Sequence, residues 1–461
     1  MLIRLSQAGV LLALLAIALL RADAALAGTG PLVEIAAGGS HTCALTSSGE
    51  VRCWGDNDQG QIGAHGVTTS SVPLLVEDVG PVTQVSAGTD HTCAVTDSGG
   101  VMCWGRNGFG QLGNGANAGS STPVDVCEPD SGNGVQPAGA GACAPLSGVV
   151  AISAGGSHTC VVVSSGAVLC WGINQDGELG DGSLDARNVP VVVIGLTDAI
   201  GVASGDFHTC ALLDGGAMQC WGFNTSGQLG DGTTILRATP VDVLGLPEPV
   251  ASMSAGGVHT CARTTSGRAL CWGGNRNGQA GNGSFMDRLL PTEVANLDAG
   301  VRAIIAGWMH TCTVLGDETV ACWGDNGSGQ LGDDTRTDSG VPTEVTQLPK
   351  ASLVTAGGFR NRSPGHSCAF AFGGGLHCWG ANGDGQLGIG TLARSSVPVA
   401  VRTLSPDVDC NGEVTAIDVA LLLQSHVGLL SSLACDGADV DGDEIVSSID
   451  AVLVLQFIAG L

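Results

Sequence analysis

Tyrosine is absent from this 461-residue chain, and Lys350 is its only lysine. Aromatics at 3% beside 74 glycines exclude a body packed on large rings and predict a turn-rich one built from small and β-branched side chains. Cations are also scarce: 17 Lys and Arg against 43 Asp and Glu give a formal charge of −26. That balance excludes nucleic acid as a partner, because a phosphate backbone needs a basic face, and it suits solubility outside a cell. A long apolar run is missing as well. The N-terminal one, Val10 to Leu20, is eleven residues long, where a membrane helix needs about twenty. Led by Arg4 and followed by "ADAALA", Ala22 to Ala27, it predicts a secretory signal peptide over residues 1–27, cleaved after Ala27 or Ala24. No membrane span is expected, and no cysteine precedes Cys43 to carry a lipid at the cleavage site.

Export changes the reading of the 18 cysteines, since disulfides persist in oxidising compartments. Seven pairs are each ten apart: Cys43 with Cys53, Cys93 with Cys103, Cys160 with Cys170, Cys210 with Cys220, Cys261 with Cys271, Cys312 with Cys322 and Cys368 with Cys378. That leaves Cys127, Cys143, Cys410 and Cys435. Aligning those pairs exposes an internal repeat of about fifty residues. Its second halves read "WGDNDQGQIG", "WGRNGFGQLG", "WGINQDGELG", "WGFNTSGQLG", "WGGNRNGQAG", "WGDNGSGQLG" and "WGANGDGQLG". The first halves carry "HTC" at His41, His91, His158, His208, His259 and His310, and "HSC" at His366.

Short alternating runs around Gly turns predict four antiparallel strands per unit. Four strands in each of seven copies predict an all-β, seven-bladed β-propeller. The first unit lacks a preceding "VPVxV" strand, while "SSVPVAV", Ser395 to Val401, follows the last motif. That surplus strand is expected to complete the first blade and join the ends of the ring. In "CALTSSGEVRC" the turn over Ser47 to Gly49 sets Cys43 opposite Cys53, so one cross-strand disulfide is expected per blade. A zinc site on His-x-Cys is the alternative, set aside because every cysteine has a natural disulfide partner. Because His and Trp recur in every unit, they read as scaffold, His through turn hydrogen bonds and Trp through interblade packing.

The repeat resembles the regulator of chromosome condensation family over residues 31–402, through its Gly, His-Thr, Trp-Gly-x-Asn and Gly-Gln-Leu-Gly pattern. That resemblance implies a seven-bladed propeller. The founding members are nuclear, bind chromatin and exchange nucleotide on a GTPase, while secreted bacterial relatives lay one propeller face on a β-lactamase. For an exported, acidic chain, protein binding is the function that transfers, and a monomeric propeller is expected. The insertion Asp125 to Gly148, with Cys127 and Cys143, reads as a disulfide-stapled loop.

Recognition should sit where the units differ. Before each His-Thr the residue varies as Ser40, Asp90, Ser157, Phe207, Val258 and Met309, with Trp308 beside the last. Inside "WGxNxxG" the variable places hold Asp56, Asp58, Gln59, Arg106, Phe109, Ile173, Phe223, Arg276 and Asp325. The seventh unit inserts Phe359, Arg360, Asn361 and Arg362, an aromatic and two arginines suited to a hot spot. A protein or a glycan is the expected ligand of that face. The alternatives are a glycoside hydrolase, which needs two flanking carboxylates and has no unique acidic pair here, and, last, a guanine-nucleotide exchange factor.

After Arg402 the repeat stops. "DVDCNGEVTAID", Asp407 to Asp418, and "DVDGDEIVSSID", Asp439 to Asp450, place oxygen donors at positions 1, 3, 5 and 12 of a calcium loop. Offset by 32, Asp407 to Leu429 and Asp439 to Leu461 share eleven of twenty-three residues. Each loop runs into a helix-compatible stretch, and Pro398 and Pro406 leave no entering helix. Duplicated loop-helix halves of this kind resemble the dockerin family over residues 406–461, implying a small α-helical calcium-binding C-terminal domain that docks to a cohesin-type partner, often in polysaccharide degradation. By position the implied calcium ligands are Asp407, Asp409, Asn411, the Glu413 carbonyl and Asp418, then Asp439, Asp441, Asp443, the Ile445 carbonyl and Asp450. Glu444 stands where the first loop has Gly412, and Cys410 and Cys435 are expected to bridge the halves.

Overall fold

The first repeat shows how each unit folds. "LVEIAA", "HTCALT" and "VRCWGD" form β1 (Leu32–Ala37), β2 (His41–Thr46) and β3 (Val51–Asp56), and after the loop 57–68 the chain returns as β4 (Thr69–Leu75). Gly49 makes the β2–β3 turn at φ +85°, where its N–H reaches the Thr46 carbonyl. An L-residue with a side chain rarely adopts that backbone, so the turn selects glycine. Cys43 then pairs directly with Cys53, and their Cα atoms lie 4.1 Å apart in a formed disulfide.

This computed structural model describes residues 32–129, 143–297, 300–359, 363–372 and 375–402. Within them the pattern of β1 to β4 repeats as seven four-stranded antiparallel sheets, each in chain order. The same cross-strand disulfide forms in every other blade. Cys93 is bridged to Cys103, Cys160 to Cys170, Cys210 to Cys220, Cys261 to Cys271, Cys312 to Cys322 and Cys368 to Cys378. In each the two cysteines stand directly opposite in the strand register. In the insertion, Cys127 is bridged to Cys143. Cys410 and Cys435 lie outside the described residues. No helix among the described residues is long and apolar enough to cross a membrane.

The expectation about ring closure is corrected. Ser395–Ala400 pairs with Gly375–Gly380 inside the seventh blade, and β4 follows β3 inside the first. The "VPVxV" strand therefore belongs to the Trp-Gly motif before it, because the β3–β4 loop is long enough to lay it back antiparallel on β3. The ring closes through side chains and packing instead of an exchanged strand. Each core cluster mixes two neighbouring blades: Leu45, Val51, Ile62 and Val76 pack with Val85, Ala94 and Trp104, and Ile35, Ala44 and Trp54 pack with Leu376, Leu387 and Val401 of the seventh blade.

In every sheet the β1–β2 turn and the β3–β4 loop sit at the same end, joined where Asp56 N–H donates to the Ser40 carbonyl. That end is the loop face of the propeller. The β2–β3 turns and the blade-to-blade connections occupy the opposite, hairpin face.

Candidate recognition face

The constellation repeated in every unit is scaffold, and its bonds run between blades. His41 Nε2 lies 2.8 Å from Thr92 Oγ1 of the second blade, and the same contact recurs from blade to blade until His366 meets Thr42 at 2.9 Å. Each of these hydroxyls donates its one proton to a backbone carbonyl, as Thr42 does to Gln386 and Thr92 to Gln61. It therefore accepts from the ring, so each imidazole is neutral with its proton on Nε2. Burial is the main cause that pushes His41, His91, His158, His259 and His310 down to about 3, and His208 and His366 to about 4. Charging any of them would strand an ion in the core. The expected turn bonds of His are thus interblade bonds.

Tryptophan does the same in six of the seven units, the Trp104 indole N–H being buried without a hydrogen-bond partner. The indole N–H of Trp54 donates to the Gln386 carbonyl, and Trp171, Trp221, Trp272, Trp323 and Trp379 donate to the equivalent carbonyl of the preceding blade. Asn57 folds the loop between β3 and β4, its Oδ1 accepting from Ile62 N–H while its amide donates to the Ala64 and Val67 carbonyls. With the seven repeat cysteine pairs oxidised, no thiolate remains on the motif to ligate zinc.

The variable positions meet in pairs on the loop face. Phe207 and Phe223 stack edge to face at 6.0 Å in the fourth blade. In the second, Arg106 forms a 3.1 Å ion pair with Asp90, and its guanidinium sits 5.8 Å over the Phe109 ring. Asp325 N–H donates to the Met309 carbonyl in the sixth blade, and Ile173 to Ser157 in the third. Trp308 is half-buried at the axis, where it lines a cavity with Asp206. Asp58, Gln59 and Arg276 are exposed at loop tips, and Phe359 is half-buried at the long turn of the seventh blade. Arg360, Asn361 and Arg362 lie outside the described residues.

Sequence reasoning missed an outer apolar crown. In the β3–β4 loops Leu184, Ile235, Phe285 and Met286 are 53, 59, 52 and 73% exposed. Phe285 leans over Gly340 of the sixth blade and leaves much of its ring to solvent. Their signal in the sequence is an apolar residue four or five places after "GQLG" or its equivalent, where the second unit has Asn117 and Ala118. Together with the half-buried Phe207, Phe223 and Val258 they concentrate apolar surface on the third to fifth blades. Leu392 and Val67 hold the same loop place in the seventh and first blades, 56 and 39% exposed, beside the polar Asp56, Asp90, Arg106 and Asp325.

The calcium ligands expected at Asp407, Asp409, Asn411, Glu413 and Asp418, and at Asp439, Asp441, Asp443, Ile445 and Asp450, lie outside the described residues. Residues 405–459 match the dockerin type I domain. Residues 136–420 match the RCC1-like domain, and regulator of chromosome condensation repeats match at 32–61, 48–95, 82–111 and 98–162. The ultraviolet-B receptor UVR8 of Arabidopsis thaliana is 31% identical over 269 residues, 57% of this chain and 60% of that protein. The probable E3 ubiquitin-protein ligase HERC4 of Homo sapiens is 32% identical over 156 residues, 33% of this chain and 14% of that protein. This chain therefore spans less than two thirds of the length of these relatives. Among solved structures, Prp20p of Saccharomyces cerevisiae superposes with a TM-score of 0.64 at 22% identity, covering 82% of this chain and 88% of that one. Human WBSCR16 gives 0.61 at 22%, covering 71% and 85%. At that identity the likeness is one of fold. With a propeller of seven repeats and a family match over more than half its length, the chain belongs to the RCC1-like domain family.

Proposed function

We propose that this chain is a non-enzymatic, secreted binding protein: the loop face takes a protein partner, and the C-terminal module docks to a cohesin-type domain. The observation that carries the reading is the division of labour within the repeat. Residues shared by all seven units bond blade to blade in the interior, while residues that differ are gathered on one face, with exposed apolar side chains concentrated on three of its blades. A contiguous apolar patch with a polar rim is what a partner buries. Eight disulfides among the described residues suit an oxidising compartment. The dockerin type I match supports the docking half of the reading. Calcium there would be held by the Asp and Asn oxygens of the two loops, a donor set that fits a hard cation wanting about six to eight oxygens. It would supply folding energy to that short segment.

The test is binding of the full chain to a cohesin domain and to secreted proteins, with calcium and with chelator. Cohesin capture should require calcium. Capture by the propeller should survive chelation and be lost when the loop face is altered.

A further inference from the structure

The axial cavity on the loop face has a volume of about 100 Å³ and is lined by the ends of the seven inner strands, mostly Ala-Gly pairs such as Ala37-Gly38 and Ala87-Gly88. Glycine is forced at that ring, because a Cβ on Gly38 would stand 2.5 Å from the Gly88 carbonyl oxygen and one on Gly205 2.3 Å from that of Gly256. One position later the units carry Gly39, Thr89, Gly156, Asp206, Gly257, Trp308 and Gly358. Two of them, Asp206 and Trp308, bring a charge and a large ring to an otherwise small-residue lining.

These two are aimed at each other. Trp308, on the sixth blade, folds back over Gly257 of the fifth, where a Cβ would meet its ring at 2.4 Å. That places the indole toward Asp206 on the fourth. Asp206 Oδ2 is shut off from solvent with no hydrogen-bond partner, and so is Trp308 Nε1. Burial pushes the Asp206 carboxyl up to about 7, and the facing indole N–H offsets this only in part, without closing a hydrogen bond of normal geometry. Asp206 is half-buried as a residue, but a carboxylate oxygen shut off from water with only a poorly placed donor is costly, and a positive group beside it would reduce that cost.

The geometry points to a binding site for a primary ammonium group, held by the Asp206 carboxylate against the Trp308 ring, with a lysine side chain of the protein partner as its source. The site itself rests on the cavity alone; the lysine source rests on the loop face being the recognition face. A calcium ion fits poorly, since a single carboxylate lines the cavity and it wants about six to eight oxygens. The ring carbonyls of Gly88, Gly155, Gly205, Gly256 and Gly307 already accept from the neighbouring blade. Their second lone pairs remain for the other ammonium protons. An ammonium is a compact point charge that suits a narrow cavity with one free carboxylate oxygen, whereas a guanidinium seeks a bidentate partner.

The test is titration of the full chain at pH 8 with n-butylammonium chloride, read by fluorescence against the constant background of the seven blade tryptophans. A saturable change is expected, absent with 1-butanol and absent in Trp308→Phe. In Asp206→Asn, which keeps Trp308 and removes the charge, affinity should fall at least tenfold. A non-saturating response, or one undiminished in Asp206→Asn, would overturn the proposal. An N-acetyl-lysine methylamide should compete with butylammonium, and its Nζ-acetylated form should not. Butylammonium binding without competition by the lysine amide would keep the ammonium site and discard the lysine source, leaving the recognition face to be judged by partner capture.

Discussion

His366 of the seventh blade donates through Nε2 to the Thr42 hydroxyl of the first at 2.9 Å, and Thr42 passes its own proton to the Gln386 carbonyl. With the Trp54 bond to the same carbonyl and the Gly358 N–H donating to the Gly38 carbonyl, it is one of the bonds that make a chain of seven meanders into a ring. The closure uses no strand from the other end of the chain and rests on such buried pairs together with the apolar packing of the first blade on the seventh.

Thr42→Val keeps the shape and removes the acceptor. His366 Nε2–H is then left buried without a partner, a loss of about 1 to 3 kcal/mol. The unfolding midpoint should fall accordingly, and hydrogen exchange of the Trp54 indole N–H, which shares the Gln386 carbonyl, should accelerate. An unchanged midpoint would mean that closure does not depend on this bond.

The histidine ring makes the propeller acid-sensitive. Each buried imidazole has its native affinity for protons lowered from 6.5 to about 3 or 4. Between those values the unfolded chain binds protons that the native state refuses, so stability present above about pH 6.5 falls as pH falls toward 3. Urea midpoints measured from pH 7 to pH 4 should drop steeply, and more than one proton per molecule should be taken up on unfolding at pH 5. A flat profile over that range would contradict the neutral, buried assignment.

Glu178 predicts the opposite slope locally. It occupies the place of Gln in "GQLG", it is fully buried, and its Oε1 has no partner. Burial raises its carboxyl to about 7. The native state thus holds a proton that the unfolded chain has lost above about pH 4.5, and stability falls as pH rises through 7. Glu178→Gln, the residue of the other units, should raise stability by on the order of 2 kcal/mol at pH 8 and change little at pH 4. Parallel urea titrations at the two pH values check it.

Calcium should stabilise the full chain through the C-terminal module. Asp409→Ala should remove one binding event from a calorimetric titration. Glu444→Gly should tighten the second, because glycine permits the sharp turn at position 6 of the loop. Equal affinity of the two loops in the wild type would show that Glu444 is tolerated there.

Much of this was legible in the sequence, for a physical reason. A unit repeated seven times reports its own constraints: Cys43 opposite Cys53, a buried Trp54, and glycine where Gly49 turns. Blade number, strand number and the described disulfides followed from them. The phase of the repeat did not, because a cyclic pattern reads alike wherever the unit is taken to begin; only the register of β4 on β3 assigned "TSSVPLL" to the first blade. The partner of His41 was also hidden, since the hydroxyl it meets belongs to Thr92, 51 residues on. The pairing of Phe207 with Phe223 needed the turn geometry, although both stood at positions marked by their variability. Phe285 and Met286 lie in a loop with neither strand nor helix period, and their place after the Gly motif gains meaning only from the loops lining one face.

The central claim, that the loop face is where the propeller binds, is tested most directly by partner capture from secreted proteins in chelator with three versions of the full chain. Phe223→Ser with Met286→Asp alters the apolar surface of the loop face, and Ile200→Asp alters an exposed site at the hairpin-face end of the fourth blade. A specific partner should be retained by the wild type and by Ile200→Asp and lost from the loop-face variant. Retention by the loop-face variant together with loss from Ile200→Asp would contradict it.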